Sequence, residues 1–281
     1  MLSLILLSVV AGGSQANRTT TQPQRSAMPA YVQGDAGPAG LKAAAANITE
    51  VAKTVPQDWA FPFPAEGIPV LMYHSISNLP GNSLGVPPEK FALQMKYLYN
   101  AGFTTITPDQ LYSALQGKTR LPRRPIMITF DDGYHDNFTA AFPVLKQYNF
   151  KATFFVVTGY IGPGMLTWDE IKQMAGAGMN IESHTVNHLD LRTLPPARMR
   201  KELADSKTAI ESNLGTKVEY FCYPAGKFNS TTLALLKDLG YKMAFTTVAG
   251  TVRRNQPLLQ LRRIRINGLA GLEGFQKQLP N

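Results

Sequence analysis

From residue 68 onward, short apolar runs alternate with segments whose apolar residues recur every three or four positions. The runs 68–73 (IPVLMY), 103–106 (FTTI), 125–130 (PIMITF), 152–157 (ATFFVV), 180–183 (NIES), 219–222 (EYFC), 243–247 (MAFTT) and 262–266 (RRIRI) predict strands. The segments between them predict helices. Residues 87–102 carry Phe91, Leu93, Met95, Leu98 and Tyr99 in a helical pattern that stops at Gly102. Segment 107–115 opens with Thr107 as N-cap, Pro108 in the first turn and Gln110 in the capping-box position; 167–178 repeats that grammar with Thr167 and Glu170. Segments 195–215 and 230–240 each end at a glycine, Gly215 and Gly240. Strand–helix alternation of this length requires a parallel sheet. Seven or eight such units predict an α/β fold closed into a distorted (β/α) barrel, and no G-x-G-x-x-G follows any strand to suggest a dinucleotide fold.

The pattern is absent before residue 67. Residues 1–16 begin with an apolar run and end in Ser14-Gln15-Ala16, a small-x-small cleavage pattern, although no Lys or Arg precedes the run. It falls short of the ~20 apolar residues that span a bilayer. A signal peptide is the reading, with an uncleaved N-terminal anchor as the alternative. Export to the cell envelope, periplasm or extracellular space is expected. Residues 17–66, rich in Thr, Gln, Ala, Gly and Pro, read as a low-complexity linker, leaving 67–281 as one catalytic domain.

Composition narrows the chemistry. The chain has 281 residues, 44% hydrophobic, enough for one sizeable core. Its net charge of +9 is scattered rather than blocked, and no nucleic-acid motif accompanies it, so no nucleic-acid partner is expected. Cys222 is the single cysteine, which excludes an intrachain disulfide and a cysteine-based zinc site.

In a parallel barrel, chemistry belongs at the C-terminal ends of the strands. Three predicted strand ends carry groups that handle metals or protons: His74 after 68–73, Asp131 and Asp132 after 125–130, and His184 and His188 after 180–183. His184 and His188 are four apart, which on a helical turn puts both rings on one face. Two imidazoles and one carboxylate make a catalytic Zn²⁺ ligand set with a position left open. Neighbouring strand residues point apart, so one aspartate is expected to bind the ion and the other to handle a proton. Gly133 lets the chain turn sharply after them. Sugar-stacking aromatics are expected among Tyr73, Tyr134, Trp168 and Phe228. For Trp168, packing of its own helix is an equal alternative, and His135 and Asp136 read as solvated turn residues.

The stretches TFDDG (129–133) and SHTVNH (183–188) resemble the first two motifs of the polysaccharide deacetylases, the NodB-homology family of carbohydrate esterases (family 4). VLMYHSI near the start, F-x-Y-P-x-G at 221–226 and the closing RRIRINGLAGLEGF resemble its poly-N-acetylglucosamine deacetylase branch. The resemblance covers residues 66–278. It implies Asp131 as catalytic base; Asp132, His184 and His188 as ligands of one divalent metal ion, zinc by preference; and Thr185 as the brace of the histidine loop. It also implies His74 as the general acid, since no histidine follows His188. The arginine that orients the base in many members is replaced by Cys222, and Arg263 on the last strand is the candidate substitute. Tyr223 and Pro224 are expected at the substrate, with a backbone N–H near Tyr223 facing the oxyanion. The expected activity is metal-dependent removal of N-acetyl groups from a polymer of β-linked N-acetylglucosamine. The rivals are a glycan-binding protein without activity and a metal-dependent phosphoesterase. The polymer and the oligomeric state stay open.

Overall fold

The computed structural model describes residues 59–280; the expected leader 1–16 and the linker up to residue 58 lie outside the described residues. All eight predicted strands form: β1 Val70–Tyr73, β2 Thr104–Thr105, β3 Pro125–Asp132, β4 Thr153–Val156, β5 Asn180–Ser183, β6 Tyr220–Cys222, β7 Met243–Ala249 and β8 Leu261–Arg265. Every pairing between them is parallel. The sheet runs β1-β8-β7-β6-β5-β4-β3 and closes through β1 against β3, where Val70 to Tyr73 face Met127 to Phe130. The barrel therefore has seven staves. β2 pairs only with Pro125 and Ile126 at the foot of β3 and is an outlying eighth strand.

The helices are α1 Pro88–Asn100, α2 Pro108–Leu115, α3 Phe142–Gln147, α4 Trp168–Gly176, α5 Pro196–Leu214, α6 Ser230–Asp238 and α7 Leu272–Gln276. Thr107 and Thr167 each close a capping box, with Gln110 and Glu170, and Gly215 ends α5 in the left-handed region at φ 68°. The sequence pattern passed over α3 and the single π-helical turn Asn137–Ala141 that leads into it. The aromatic-rich stretch after Asp132 has too short a helical period to declare itself, and Pro143 interrupts it.

Strand alternation builds two cores. Leu71, Tyr73, Ile128, Phe130, Phe154, Ile181 and Phe221 point outward and pack under the helices. Val70, Met127, Phe155, Tyr220, Met243, Phe245 and Leu261 point inward. Ile106, with Leu111, Ala114 and Leu115 of α2, joins the inner core, so α2 stoppers the end where the strands begin. Residues 59–66, expected to close the linker, already dock there: Phe61 and Leu121 exchange two backbone hydrogen bonds, and Trp59 and Phe63 pack on the inner core. With that end sealed, the polar inward positions lie at the strands' other ends.

Candidate active site

Asp131 is the last inward residue of β3 and is 2% exposed. An isolated buried carboxylate is costly. Here Arg263, inward on β8 and fully buried, meets it side-on: Nη1 donates to Oδ1 and Nη2 to Oδ2, both at 2.7 Å. The rest of the guanidinium is spoken for by the Thr129 hydroxyl (3.1 Å), the Thr246 carbonyl (3.0 Å) and the Cys222 sulfur (3.0 Å). Burial alone would raise the Asp131 pKa, but the Arg263 charge and hydrogen bonds override it and hold the acid well below the carboxylate range. Cys222 packs against the pair, its sulfur 3.4 Å from Asp131 Oδ2, and burial pushes its thiol up.

Asp132 turns away from this pair, with a left-handed φ of 74°. Its Oδ1 is buried and has no hydrogen-bond partner, yet it lies 3.4 Å from His184 Nε2 and 3.5 Å from His188 Nε2. His184 Nδ1 is 2.7 Å from the Cys222 carbonyl, which only accepts, so Nδ1 carries a hydrogen and Nε2 is the ring atom turned toward Asp132. Burial and the charge at His184 bring His188 down to about 4, so it is neutral at pH 7. Burial opposes charge on His184 too, but Cys222 and Asp132 outweigh it and raise its pKa well above the usual value. Without a metal, His184 therefore keeps a proton that Nε2 turns toward Asp132; a cation that displaced it would meet three converging ligand atoms. Donors held ~2.0–2.1 Å from a tetrahedral zinc would stand ~3.3–3.4 Å from one another. The observed 3.4 and 3.5 Å fit that group. A second cluster of Asp131, His184 and Cys222 fits less well, because Arg263 and the Cys222 carbonyl already hold its donors.

The two histidines do not sit on a helical turn as their spacing suggests. They flank an irregular loop, with Thr185 at φ 70° and His188 at φ 52°, and this turn brings the ring centres to 4.9 Å. Thr185 Oγ1 accepts the His188 N–H at 3.0 Å.

His74, just past β1, places Nε2 4.0 Å from Asp131 Oδ2. Burial lowers its pKa, against the pull of Asp132 and Asp131. Its backbone is fixed from the β3 exit: Asn137 Nδ2 donates to the His74 carbonyl at 2.8 Å. Asp136 is no solvated turn residue. It is 5% exposed and accepts from the Ser75 hydroxyl (2.6 Å) and the Ile76 N–H (2.8 Å). The sequence gives no local sign of this, because its partners lie 60 and 61 residues away. His135 alone matches the surface reading, half-exposed with Nδ1 3.3 Å from Glu170.

The remaining expected residues divide. Tyr134 is half-buried beside the site, its phenol raised by burial and by the carboxylates of Asp132 and Asp136. Tyr223 does not face the site: its N–H donates to the Phe245 carbonyl (3.1 Å), its ring is fully buried against Phe228 and its hydroxyl donates to the Leu259 carbonyl (2.8 Å). It lies just past β6, one position off the inward-facing Cys222. Pro224 is buried and has no N–H to give, so the first exposed residue after β6 is Ala225, at φ 51°. Tyr73 is buried with its hydroxyl on Gln94, and Trp168 packs α4 against the outer core.

Comparison with known proteins gives the same family at three levels. The family model described as polysaccharide deacetylase matches residues 118–244. YxkH of Bacillus subtilis (strain 168), named for that family, is 41% identical over 206 residues, 73% of this chain and 73% of its own. The poly-beta-1,6-N-acetyl-D-glucosamine N-deacetylase of Staphylococcus aureus (strain MSSA476) is 29% identical over 65% of this chain and 68% of its own. Among solved structures, the Streptococcus pyogenes deacetylase PplD in complex with acetate superposes with a TM-score of 0.73 at 33% identity. That match covers 76% of this chain and 99% of that one.

Proposed function

Since the chain belongs to the polysaccharide deacetylase family, we propose that it hydrolyses N-acetyl groups from a polymer of β-linked N-acetylglucosamine, with one divalent ion held by Asp132, His184 and His188. The observation that carries this is the orphaned Asp132 Oδ1, ringed by two imidazole nitrogens next to an arginine-locked carboxylate. Zinc suits the donor set, and when bound it supplies Lewis-acid polarisation of the amide carbonyl and acidifies water.

The protein's own groups handle position and protons. Asp131, ionised throughout the neutral range, accepts the proton of the attacking water; Arg263 holds both its oxygens in one plane. The same arginine keeps Asp131 a weak base, so the proton passes on. His74, unprotonated at rest, stands 4.0 Å away to take it and deliver it to the departing amine nitrogen. The water proton thus ends on the amine, and acetate leaves with the hydroxyl oxygen. The Tyr223 amide is engaged with the Phe245 carbonyl and so does not serve the developing oxyanion. Tyr134 lines the approach to Asp132. Export to the cell envelope, read from residues 1–16, would bring the protein to a polymer that lies outside the cell.

The test is acetate release from acetylated poly-β-1,6-N-acetylglucosamine and from chitooligosaccharides, with and without chelator. Release that chelator stops and zinc restores is the expected outcome. Binding without release would point to a glycan-binding protein, and phosphate release from phosphoesters to a phosphoesterase.

A further inference from the structure

The histidine loop is held in an expensive shape. Non-glycine residues at positive φ are strained, and this loop has two, Thr185 at 70° and His188 at 52°. Something must over-determine it. Part of the grip comes from the β4 exit: the Thr158 N–H donates to the Thr185 carbonyl (3.1 Å) and the Gly159 N–H to the Val186 carbonyl (2.8 Å). A Cβ on Gly159 would stand 2.5 Å from that carbonyl oxygen, so the approach requires glycine.

The other part comes from α5. Glu202 is 4% exposed, and no ion pair to it is found among the described residues. Its Oε2 accepts the N–H groups of Val186 (3.1 Å) and Asn187 (2.8 Å), and its Oε1 accepts from Asn187 Nδ2 at 2.7 Å. One turn further along the same helix face, the Ser206 hydroxyl bonds the Ser183 hydroxyl at 2.7 Å. A single face of α5 therefore grips the chain at Ser183, just before the first histidine, and at Val186 and Asn187, just before the second. Among the described residues this buried carboxylate is hydrogen-bonded by three N–H donors, all of them from this loop. It is well suited to fixing backbone that must hold one geometry.

We infer that Glu202 is the positioning residue that presets the spacing of His184 and His188 for the cation, acting through the Val186 and Asn187 amides. This rests on the metal reading of the Asp132–His184–His188 cluster. Partners of this kind, one shell out from a ligand, change metal affinity by about 10–100-fold when removed.

The experiment measures zinc affinity of the purified protein by competition with a chromophoric chelator, together with the unfolding midpoint of the metal-free protein. Glu202→Ala is expected to bind zinc about 10–100-fold more weakly while remaining folded by circular dichroism. Glu202→Asp keeps the charge but is one methylene too short to reach both amides, and should fold and fall between. A residue that only fastened helix to loop would lower the unfolding midpoint and leave the zinc affinity of the folded protein unchanged. Wild-type affinity in either folded variant overturns the inference. Asp132→Ala is measured alongside. If it binds zinc like the wild type, the metal site itself is wrong and this inference falls with it; if it loses zinc while the Glu202 variants do not, the inference alone fails.

Discussion

Replacing Arg263 by methionine tests the electrostatic centre of the barrel. Methionine fills much of the arginine stem's volume, so the change removes charge and hydrogen bonds more than packing. Asp131 then loses its hydrogen-bonded countercharge and keeps only the weaker pull of His184 and His74, and the Thr246 carbonyl and Thr129 hydroxyl lose a donor. Breaking one partner of such a pair costs about 3–5 kcal/mol. For a domain of this size that is roughly 10 °C in Tm. The pH dependence carries the sign. In the wild type the folded pKa of Asp131 lies below its unfolded value of ~3.9, so its contribution is present above that value and is lost only as pH falls through the lower folded pKa. Without Arg263 the main opposition to burial is gone, and the folded pKa is expected to rise above the unfolded one. The variant then gains relative stability in acid, where Asp131 is protonated, and loses it as pH rises. Urea unfolding of both metal-free proteins between pH 4 and pH 8 should show a gap that widens toward neutrality. A gap below about 1 kcal/mol, or one equally large at pH 4 and pH 8, would refute the account.

Three further outcomes are expected. Asp131→Asn should keep zinc yet lose acetate release by about 10²–10⁴-fold, whereas Asp132→Ala should lose the ion itself; metal analysis and acetate assay on both proteins separate the roles. His74→Ala should slow hydrolysis of an N-acetyl amide far more than that of an activated aryl acetate, whose leaving group needs no proton, and equal losses on both substrates would remove His74 from the acid role. Asp136→Ala leaves the buried Ser75 hydroxyl and Ile76 N–H without their acceptor, at about 1–3 kcal/mol for each buried group left unpaired. Its amide turnover should fall with that of His74→Ala, as read from thermal unfolding and acetate release together.

The strands were legible because each one alternates over a run bounded by turn residues, and the capped helices because Thr107–Gln110 and Thr167–Glu170 announce themselves within four positions. The convergence of His74, the two aspartates and the two histidines was legible because a parallel barrel sends every strand end to one face. Contacts between distant positions were not. Arg263, 132 residues from Asp131, is the exception, reached through the family resemblance, while its bidentate grip and its bond to Cys222 come only from the structure. Asp136 looks like any polar residue after a glycine turn until the β1 exit folds over it. Tyr223 was misplaced by a single step of alternation, since β6 turns Cys222 inward and Tyr223 out. Glu202 has no local signature, because its partners are backbone amides of another segment.

The two-residue β2 has a further consequence. Adjacent staves in a sheet stand about 4.8 Å apart, and a full-length β2 seated between β1 and β3 would hold them at roughly twice that distance. Because β2 stays at the foot of its neighbour, the first and third staves touch along Val70–Tyr73, and His74 and Asp131, which crown them, are side by side. The missing board in the fence is what lets the two residues meet, and a homologue that rebuilt it would part them.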